Sequence, residues 1–215
     1  MQTQERSIDP RSASPLVELH GLLRDHKPDP TPIGTLLDQM PEADRVAAVR
    51  SLGGREQKKL WLAVQGARPL QLTDLVPAHV PAMTPVRHYG KNSLPVFSLF
   101  EKRFYRPEHE NAQAPTELCG ANFQLVSPLT GPGYFVVRAH AGGMELDVDY
   151  RRVPDRAPNG WPAIARNDRG TARLVFGFMV DTLRRVSEHV TIGSAARNGK
   201  DMNSYFVLCR EELRR

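Results

Sequence analysis

The sequence predicts an α+β protein in which a small helical segment precedes an antiparallel β-barrel or sandwich. Apolar residues recur at helical spacing over residues 16–66. From residue 97 onward the pattern changes to short β-branched and aromatic runs separated by turn residues. With 215 residues, the chain is long enough to bury roughly 70 % of its unfolded surface in a core.

The helical segment is divided by glycines. The first strong helix begins near Pro41, a residue suited to a helix start, and ends at the pair Gly53-Gly54. A second helix follows and ends at Gly66. A DNA-binding helix-turn-helix is one interpretation. We favour a plain pair of packed helices, because the segment is electrically neutral and lacks a run of polar residues to read bases.

Composition also sets the boundaries of the other regions. Residues 1–15 are polar and predict a disordered tail. Residues 67–96 contain five prolines and predict an irregular connection. The barrel domain is then expected over residues 97–215.

The clearest strand signal runs from Met144 to Tyr150, directly after Gly142-Gly143. Apolar and acidic residues alternate here, so one face of the strand is apolar and the other carries three carboxylates. The apolar face is expected to point into the barrel. Residues 173–189 fit both a helix and a strand, and their periodicity leaves the choice open.

Several short motifs in the second half of the chain resemble lipocalin-like (calycin) barrels over residues 97–210, particularly bacterial small-barrel proteins and plastid lipid-associated proteins. In chain order these are Phe100–Tyr105, Gly120 with Asn122, Asp149-Tyr150-Arg151, Asp181-Thr182-Leu183-Arg184, and Tyr205-Phe206-Val207-Leu208. The resemblance implies an antiparallel lipocalin-like β-barrel with an apolar pocket, and it does not imply an enzyme.

The candidate ligand-binding residues follow from this barrel. Those expected to line its interior are Met144, Leu146, Val148 and Tyr150. Those expected near its rim are Arg138, His140 and Tyr205. His88 lies in a polar segment, residues 87–93, that could cap the barrel mouth and contact a ligand. A surface turn built on Gly90 and Asn92 is the preferred interpretation of this segment.

No catalytic residue, metal site or cofactor is predicted. The sequence lacks the common phosphate-loop, dinucleotide, zinc-protease and nucleophile-elbow motifs. Glu145, Asp147 and Asp149 could in principle hold a cation, but neighbouring side chains on one strand face are about 7 Å apart. A solvated strand face is the preferred interpretation.

Three functional hypotheses follow. The first is a non-enzymatic binding module that holds a small apolar ligand in the barrel. The second is an interaction or scaffold protein that docks a protein partner through the helices at 33–66. The third is an enzyme with His or Cys groups at the barrel mouth. A net charge of +5 without a basic run gives no expectation of nucleic-acid binding. The lack of a long apolar run or a secretory signal predicts a cytoplasmic protein that does not span a membrane.

Overall fold

The computed structural model describes residues 14–94, 98–123, 132–170 and 172–213. Six helices are present in this part of the chain: α1 (Pro15–Leu22), α2 (Pro30–Gln39), α3 (Glu42–Ser51), α4 (Gly54–Ala63), α5 (Leu72–Leu75) and α6 (Ala172–Phe176). Eight strands accompany them: β1 (Val86–Asn92), β2 (Leu99–Tyr105), β3 (Leu118–Phe123), β4 (Tyr134–Ala139), β5 (Leu146–Asp149), β6 (Met179–Arg185), β7 (Val190–Arg197) and β8 (Lys200–Arg210).

The eight strands form a closed antiparallel barrel. Each strand pairs with the next one along the chain, and β8 pairs with β1 to complete the ring. Closure leaves no unpaired sheet edge. The prediction of helices followed by an antiparallel barrel is therefore confirmed.

Strand β5 is oriented as its alternating sequence predicts. Leu146, Val148 and the following Tyr150 are buried in the central core cluster. Asp147 and Asp149 lie on the opposite, outward face, where Asp149 pairs with Arg151. The structure thus confirms that the apolar side of this strand faces inward.

The helices cover one side of the barrel. Apolar side chains of α1 to α4 form a second core with the outward residues of β7 and β8, among them Ile192 and Val207. Local signals fix the starts of two of these helices. Asp29 accepts a hydrogen bond from the Thr31 amide at the start of α2, and Glu56 reaches back to the amide of Gly53 before α4.

Two features depart from the local expectations. Strand β1 and helix α5 both lie within residues 67–96, which the prolines predicted as a connection. Strand β1 escapes detection because its sequence, VRHYGKN, has one aliphatic residue. Of the predicted tail, residues 1–13 lie outside the described part, and α1 already begins at Pro15.

The region that fitted both helix and strand contains both. A single helical turn, α6, is followed by strand β6, so the ambiguous periodicity of residues 173–189 reflects two consecutive elements. Gly177 and Phe178 join them, and Phe178 adopts a positive φ of 61°. A left-handed conformation is unusual for a bulky residue.

The two ends of the barrel differ. At one end, α5 and its flanking residues Leu70 and Val80 join the barrel core and close it; we call this the plugged end. At the other, called the mouth, β1 ends and β2 and β6 begin, and Phe176 of α6 packs on Tyr150. Within the described residues, the helices are too short and too polar to traverse a bilayer.

Candidate functional site

Three glycines shape the mouth half of the barrel interior. Each one lies directly across a strand pair from a phenylalanine. The pairs are Gly90–Phe100, Gly120–Phe135 and Gly193–Phe206. A Cβ atom added at Gly193 would lie 2.2 Å from the Phe206 ring, and the other two pairs are almost as close. The missing side chains therefore let the rings lie against the barrel wall.

The side chain of Lys102 projects from β2 into the space between these rings. Its Nζ atom lies within 6 Å of four aromatic ring centroids, a distance at which an ammonium group is attracted to the ring faces. The distances are 4.8 Å to Phe206, 4.9 Å to Tyr150, 5.1 Å to Phe135 and 5.9 Å to Phe100. We refer to these four rings as the aromatic box.

Three polar side chains from other strands converge on Lys102. Its ammonium donates hydrogen bonds to Asn122 Oδ1 at 3.1 Å, to Asp181 Oδ2 at 3.3 Å, and to the Tyr150 hydroxyl. Asn122 also donates from Nδ2 to the Tyr150 hydroxyl at 2.8 Å, and Tyr150 interacts with Asp181. All four side chains are buried. We call these residues the lysine cluster.

Burial controls the ionisation of this cluster. Desolvation lowers the pKa of Lys102, and the charge of Asp181 only partly opposes that effect. Desolvation also raises the pKa of Asp181 against the attraction of Lys102. Desolvation likewise raises the pKa of Tyr150 well above its ordinary value. The site therefore favours the neutral forms of all three groups more than water does.

One acceptor of the cluster has no hydrogen-bond partner among the described residues. The Oδ1 atom of Asp181 is buried and makes no hydrogen bond to any described residue. A buried unpaired polar atom costs about 1–3 kcal/mol. This oxygen is therefore able to accept a hydrogen bond from a guest molecule in the box.

Helix α6 forms the roof of the cluster. The Phe176 ring stacks on Tyr150, with centroids 5.4 Å apart and an interplanar angle of 14°. The same ring fills the space beside Gly133. The roof is only one helical turn long and joins β6 through the strained Phe178.

Apolar side chains surround this mouth on the outside. Four of the large exposed hydrophobic residues lie at its strand ends and turns: Leu94, Leu99, Phe178 and Met202. They lie near the ends of β1 and β7 and the starts of β2, β6 and β8. The approach to the roof is therefore partly apolar.

Of the predicted interior residues, three lie inside the barrel. Leu146 and Val148 belong to its central core, and Tyr150 belongs to both the aromatic box and the lysine cluster. Met144 precedes β5 and is 36 % exposed, because the strand begins only at Leu146.

The predicted rim residues do not converge. Arg138 lies on the outer face and pairs with Glu117, and His140 pairs with Asp147. Tyr205 faces outward toward α4, where its ring centroid is 6.3 Å from that of Trp61.

His88 lies inside the barrel at the plugged end. The predicted turn at residues 87–93 is instead mostly strand β1, which places His88 inward. Its ring contacts Phe104 edge-on, and its Nε2 bonds the Leu75 carbonyl at 3.0 Å. Burial lowers its pKa to about 3, so this histidine is neutral and tied to the plug.

Sequence reasoning missed Lys102, Asn122 and Asp181 as site residues. A signal was present in β2, where Phe100, Lys102 and Phe104 share one face of the strand. A lysine between two inward aromatic residues indicates a buried amine. No local pattern indicates that Asp181, 79 residues later, lies beside it.

A second concavity lies on the outer wall of the barrel. This groove of about 790 Å³ has Cys119 and Val136 among its lining residues, together with several arginines. Its arginines already have carboxylate partners. The pairs are Arg138–Glu117, Arg156–Glu108, Arg166–Asp168, Arg151–Asp149 and Arg152–Asp149. The groove therefore offers space for a ligand, but its arginine side chains are already paired with carboxylates of the protein.

Beside this groove, His109, Glu110 and Glu117 bring three potential ligand atoms within 4.8 Å of one another. Thr116 engages the carboxylate of Glu110, and Arg138 engages that of Glu117. These contacts compete with any cation for the same carboxylates.

The geometry defines a class of protein, a closed antiparallel barrel with a buried polar cluster under one end. Comparisons with protein-family models, with curated proteins and with solved structures give no significant match to the chain.

Proposed function

We propose that the chain is a non-enzymatic binding module that holds a small, largely apolar ligand in its barrel. The proposed binding place is the mouth half of the interior, between the aromatic box and Phe176. The closed barrel is compatible with the lipocalin-like resemblance of residues 97–210, and we keep that family assignment as part of the proposal. The cytoplasmic location stays a prediction.

The single observation that carries this proposal is the unpartnered Oδ1 of Asp181, whose carboxylate contacts the Lys102 amine at the centre of the aromatic box. Ligand pockets are usually lined by apolar and aromatic groups, with a few polar groups that fix orientation. An aromatic or short aliphatic body fits the rings. A hydroxyl or N–H group on that body would donate a hydrogen bond to Asp181 Oδ1.

Phe176 controls access in this proposal. Its ring covers Tyr150, so a ligand has to displace the ring to reach the lysine cluster. The short helix and the strained joint at Phe178 make such a displacement cheaper than breaking a barrel strand.

The alternative function through the helices has less support. The apolar faces of α1 to α4 already pack on β7 and β8. Among the described helical residues, the large exposed hydrophobics are Val17 and Leu62. Two scattered residues do not form a docking patch.

The enzyme alternative was expected to use His or Cys side chains at the barrel mouth, but the structure brings other titratable side chains together. Lys102, Tyr150 and Asp181 converge, whereas Cys119 and Cys209 face out of the barrel in separate clusters. Acid–base chemistry requires at least two titratable groups that converge in one cleft. The burial of these three groups supports ligand binding more directly than turnover.

A matched pair of ligands tests the proposal. We would titrate the protein with 4-methylphenol and with toluene and follow backbone amide shifts by NMR. We expect both to shift β2, β5 and β6 resonances, and 4-methylphenol to bind more tightly because it donates to Asp181. Phe176→Ala should strengthen binding of both, whereas Leu62→Ala on the exposed face of α4 should leave it unchanged. If neither molecule shifts these strands in the native protein or in the folded Phe176→Ala variant, the proposal is wrong.

A further inference from the structure

We propose that Lys102 captures small aldehydes or ketones by forming an imine with the carbonyl carbon of the ligand. This inference rests on the proposed binding site and names its ligand class. It assigns a covalent role to the amine at the centre of the aromatic box.

Lys102 differs from every other lysine of the chain in its surroundings. The sequence has six lysines, and the other five are exposed or half-buried. Within the described part of the chain, only the Lys102 amine is enclosed by aromatic rings. A desolvated lysine in an apolar pocket is a stronger nucleophile at neutral pH than a solvated one.

A base for the first step is in place. The Lys102 ammonium must lose a proton before its nitrogen can attack, and Asp181 Oδ2 lies 3.3 Å from that nitrogen. Transfer of the proton within this pair produces a neutral amine and a neutral carboxylic acid. Burial favours this neutral pair, since it lowers the pKa of Lys102 and raises that of Asp181.

The reaction balances without any further reactant. The amine nitrogen attacks the carbonyl carbon, a C–N bond forms, and the carbonyl oxygen takes the proton held by Asp181 and becomes a hydroxyl group. The nitrogen, now positively charged, returns a second proton to Asp181. The hydroxyl takes this proton and leaves as water, which breaks the C–O bond and forms the C=N bond. The third proton stays on the imine nitrogen, and Asp181 is again a carboxylate. One amine and one carbonyl compound thus yield one imine and one water molecule.

The box also protects the product. A protonated imine is a cation, and the four rings around the Lys102 nitrogen stabilise a cation at that place. The Phe176 roof limits the access of water that would hydrolyse the C=N bond. Both effects favour reversible but long-lived capture.

The hydrogen bonding of Asp181 differs from that expected of a purely structural ion pair. A buried pair that serves only stability has its hydrogen-bonding positions filled, because unpaired ones are costly. Here Asp181 Oδ1 is unpartnered among the described residues. In the proposed complex, it accepts a hydrogen bond from the carbinolamine hydroxyl.

The experiment traps the imine by reduction. The intact protein is incubated at pH 7 with 4-methylbenzaldehyde and sodium cyanoborohydride, and the modified lysines are mapped by peptide mass spectrometry. Burial lowers the pKa of Lys102, so a larger fraction of this amine is neutral at pH 7 than in a solvated lysine. We therefore expect Lys102 to be labelled several-fold faster than Lys58 and Lys200, which are exposed on α4 and at the β7–β8 turn.

Two variants sharpen the result. Phe176→Ala should accelerate labelling of Lys102 and leave Lys58 unchanged. Lys102→Arg retains the positive charge but cannot form an imine, so the fast label should disappear. The inference is overturned if labelling simply follows exposure, with Lys102 unmodified in both the native protein and Phe176→Ala. If 4-methylphenol still binds under those conditions, the imine is excluded and the binding site survives. If 4-methylphenol also shows no binding, both the imine at Lys102 and the proposed binding site are wrong.

Discussion

The ring of Phe206 lies flat against Gly193, its direct partner across the β7–β8 pair. The closest ring atom is 2.2 Å from the place where a Cβ atom would stand. This arrangement keeps the ring at the wall, 4.8 Å from the Lys102 nitrogen. The glycine therefore positions part of the aromatic box.

Replacing Gly193 tests this relationship. Gly193→Ala should destabilise the protein by about 1–3 kcal/mol, the usual cost of overpacking a core, because Phe206 must move. Gly21→Ala is the matched control, since an added Cβ in helix α1 meets no atom within 4 Å and alanine favours the helix. Urea unfolding of both variants gives the comparison. Equal stabilities for the two variants would show that Phe206 moves aside freely.

We predict that Lys102 and Asp181 of the lysine cluster contribute to the stability of the protein in a coupled way. Lys102→Met should cost about 3–5 kcal/mol, because it leaves Asp181 buried without its charge partner. The double variant Lys102→Met/Asp181→Leu should be less destabilised than the sum of the single variants. A double-mutant cycle from urea unfolding measures the difference. Simple additivity would mean that the two side chains do not interact in the folded protein.

Burial of His88 makes the free energy of unfolding depend on pH in the acid range. Burial first, and then the charges of Arg210 and His189, lower its folded pKa to about 3 from an ordinary value of 6.5, against the hydrogen bond to Leu75. The unfolded chain therefore takes up a proton as the pH falls below about 6.5, and the folded protein does not. The contribution is complete above that pH and is lost progressively between about 6.5 and 3, by at most about 1.4 kcal/mol per pH unit.

His88→Gln removes this titration and keeps a donor for the Leu75 carbonyl. We expect a shallower loss of unfolding free energy between pH 7 and pH 4 than in the native protein. Leu62→Ala, at an exposed residue without an ionisable group, provides the control and should leave the slope unchanged. An unaltered slope in His88→Gln would assign the acid sensitivity to other groups.

Arg184 joins the helices to the barrel. Its guanidinium carbon lies 3.6 Å from the centroid of the Trp61 ring, and its Nη1 donates to the Trp61 carbonyl at 2.8 Å. Its Nε donates to Glu145 at 2.6 Å. Arg184→Lys keeps the charge but loses the planar fork, so we expect a loss of about 1–3 kcal/mol. Arg166→Lys, at an exposed pair with Asp168, should leave the stability nearly unchanged; calorimetry of both variants measures the contrast.

The sequence by itself determined the local elements whose burial follows a regular period. Alternation in Leu146, Val148 and Tyr150 fixed the inward face of β5, and helical spacing located the helices before the barrel. Strand β1 was not predictable in this way. Its inward positions are Val86, His88 and Gly90, and only the first is an aliphatic residue.

The site itself was decided by the tertiary structure. Lys102, Asn122 and Asp181 lie on three different strands, Tyr150 directly follows a fourth strand, β5, and no local pattern indicates that the four side chains meet. Closure of the barrel turns their strand faces toward one axis, and the glycine–phenylalanine pairs leave room for them there. Local sequence sets which face of a strand is apolar, because that depends on neighbours two residues apart. Which charged groups share one desolvated volume depends on strand register around the whole ring, and only the closed fold sets that register.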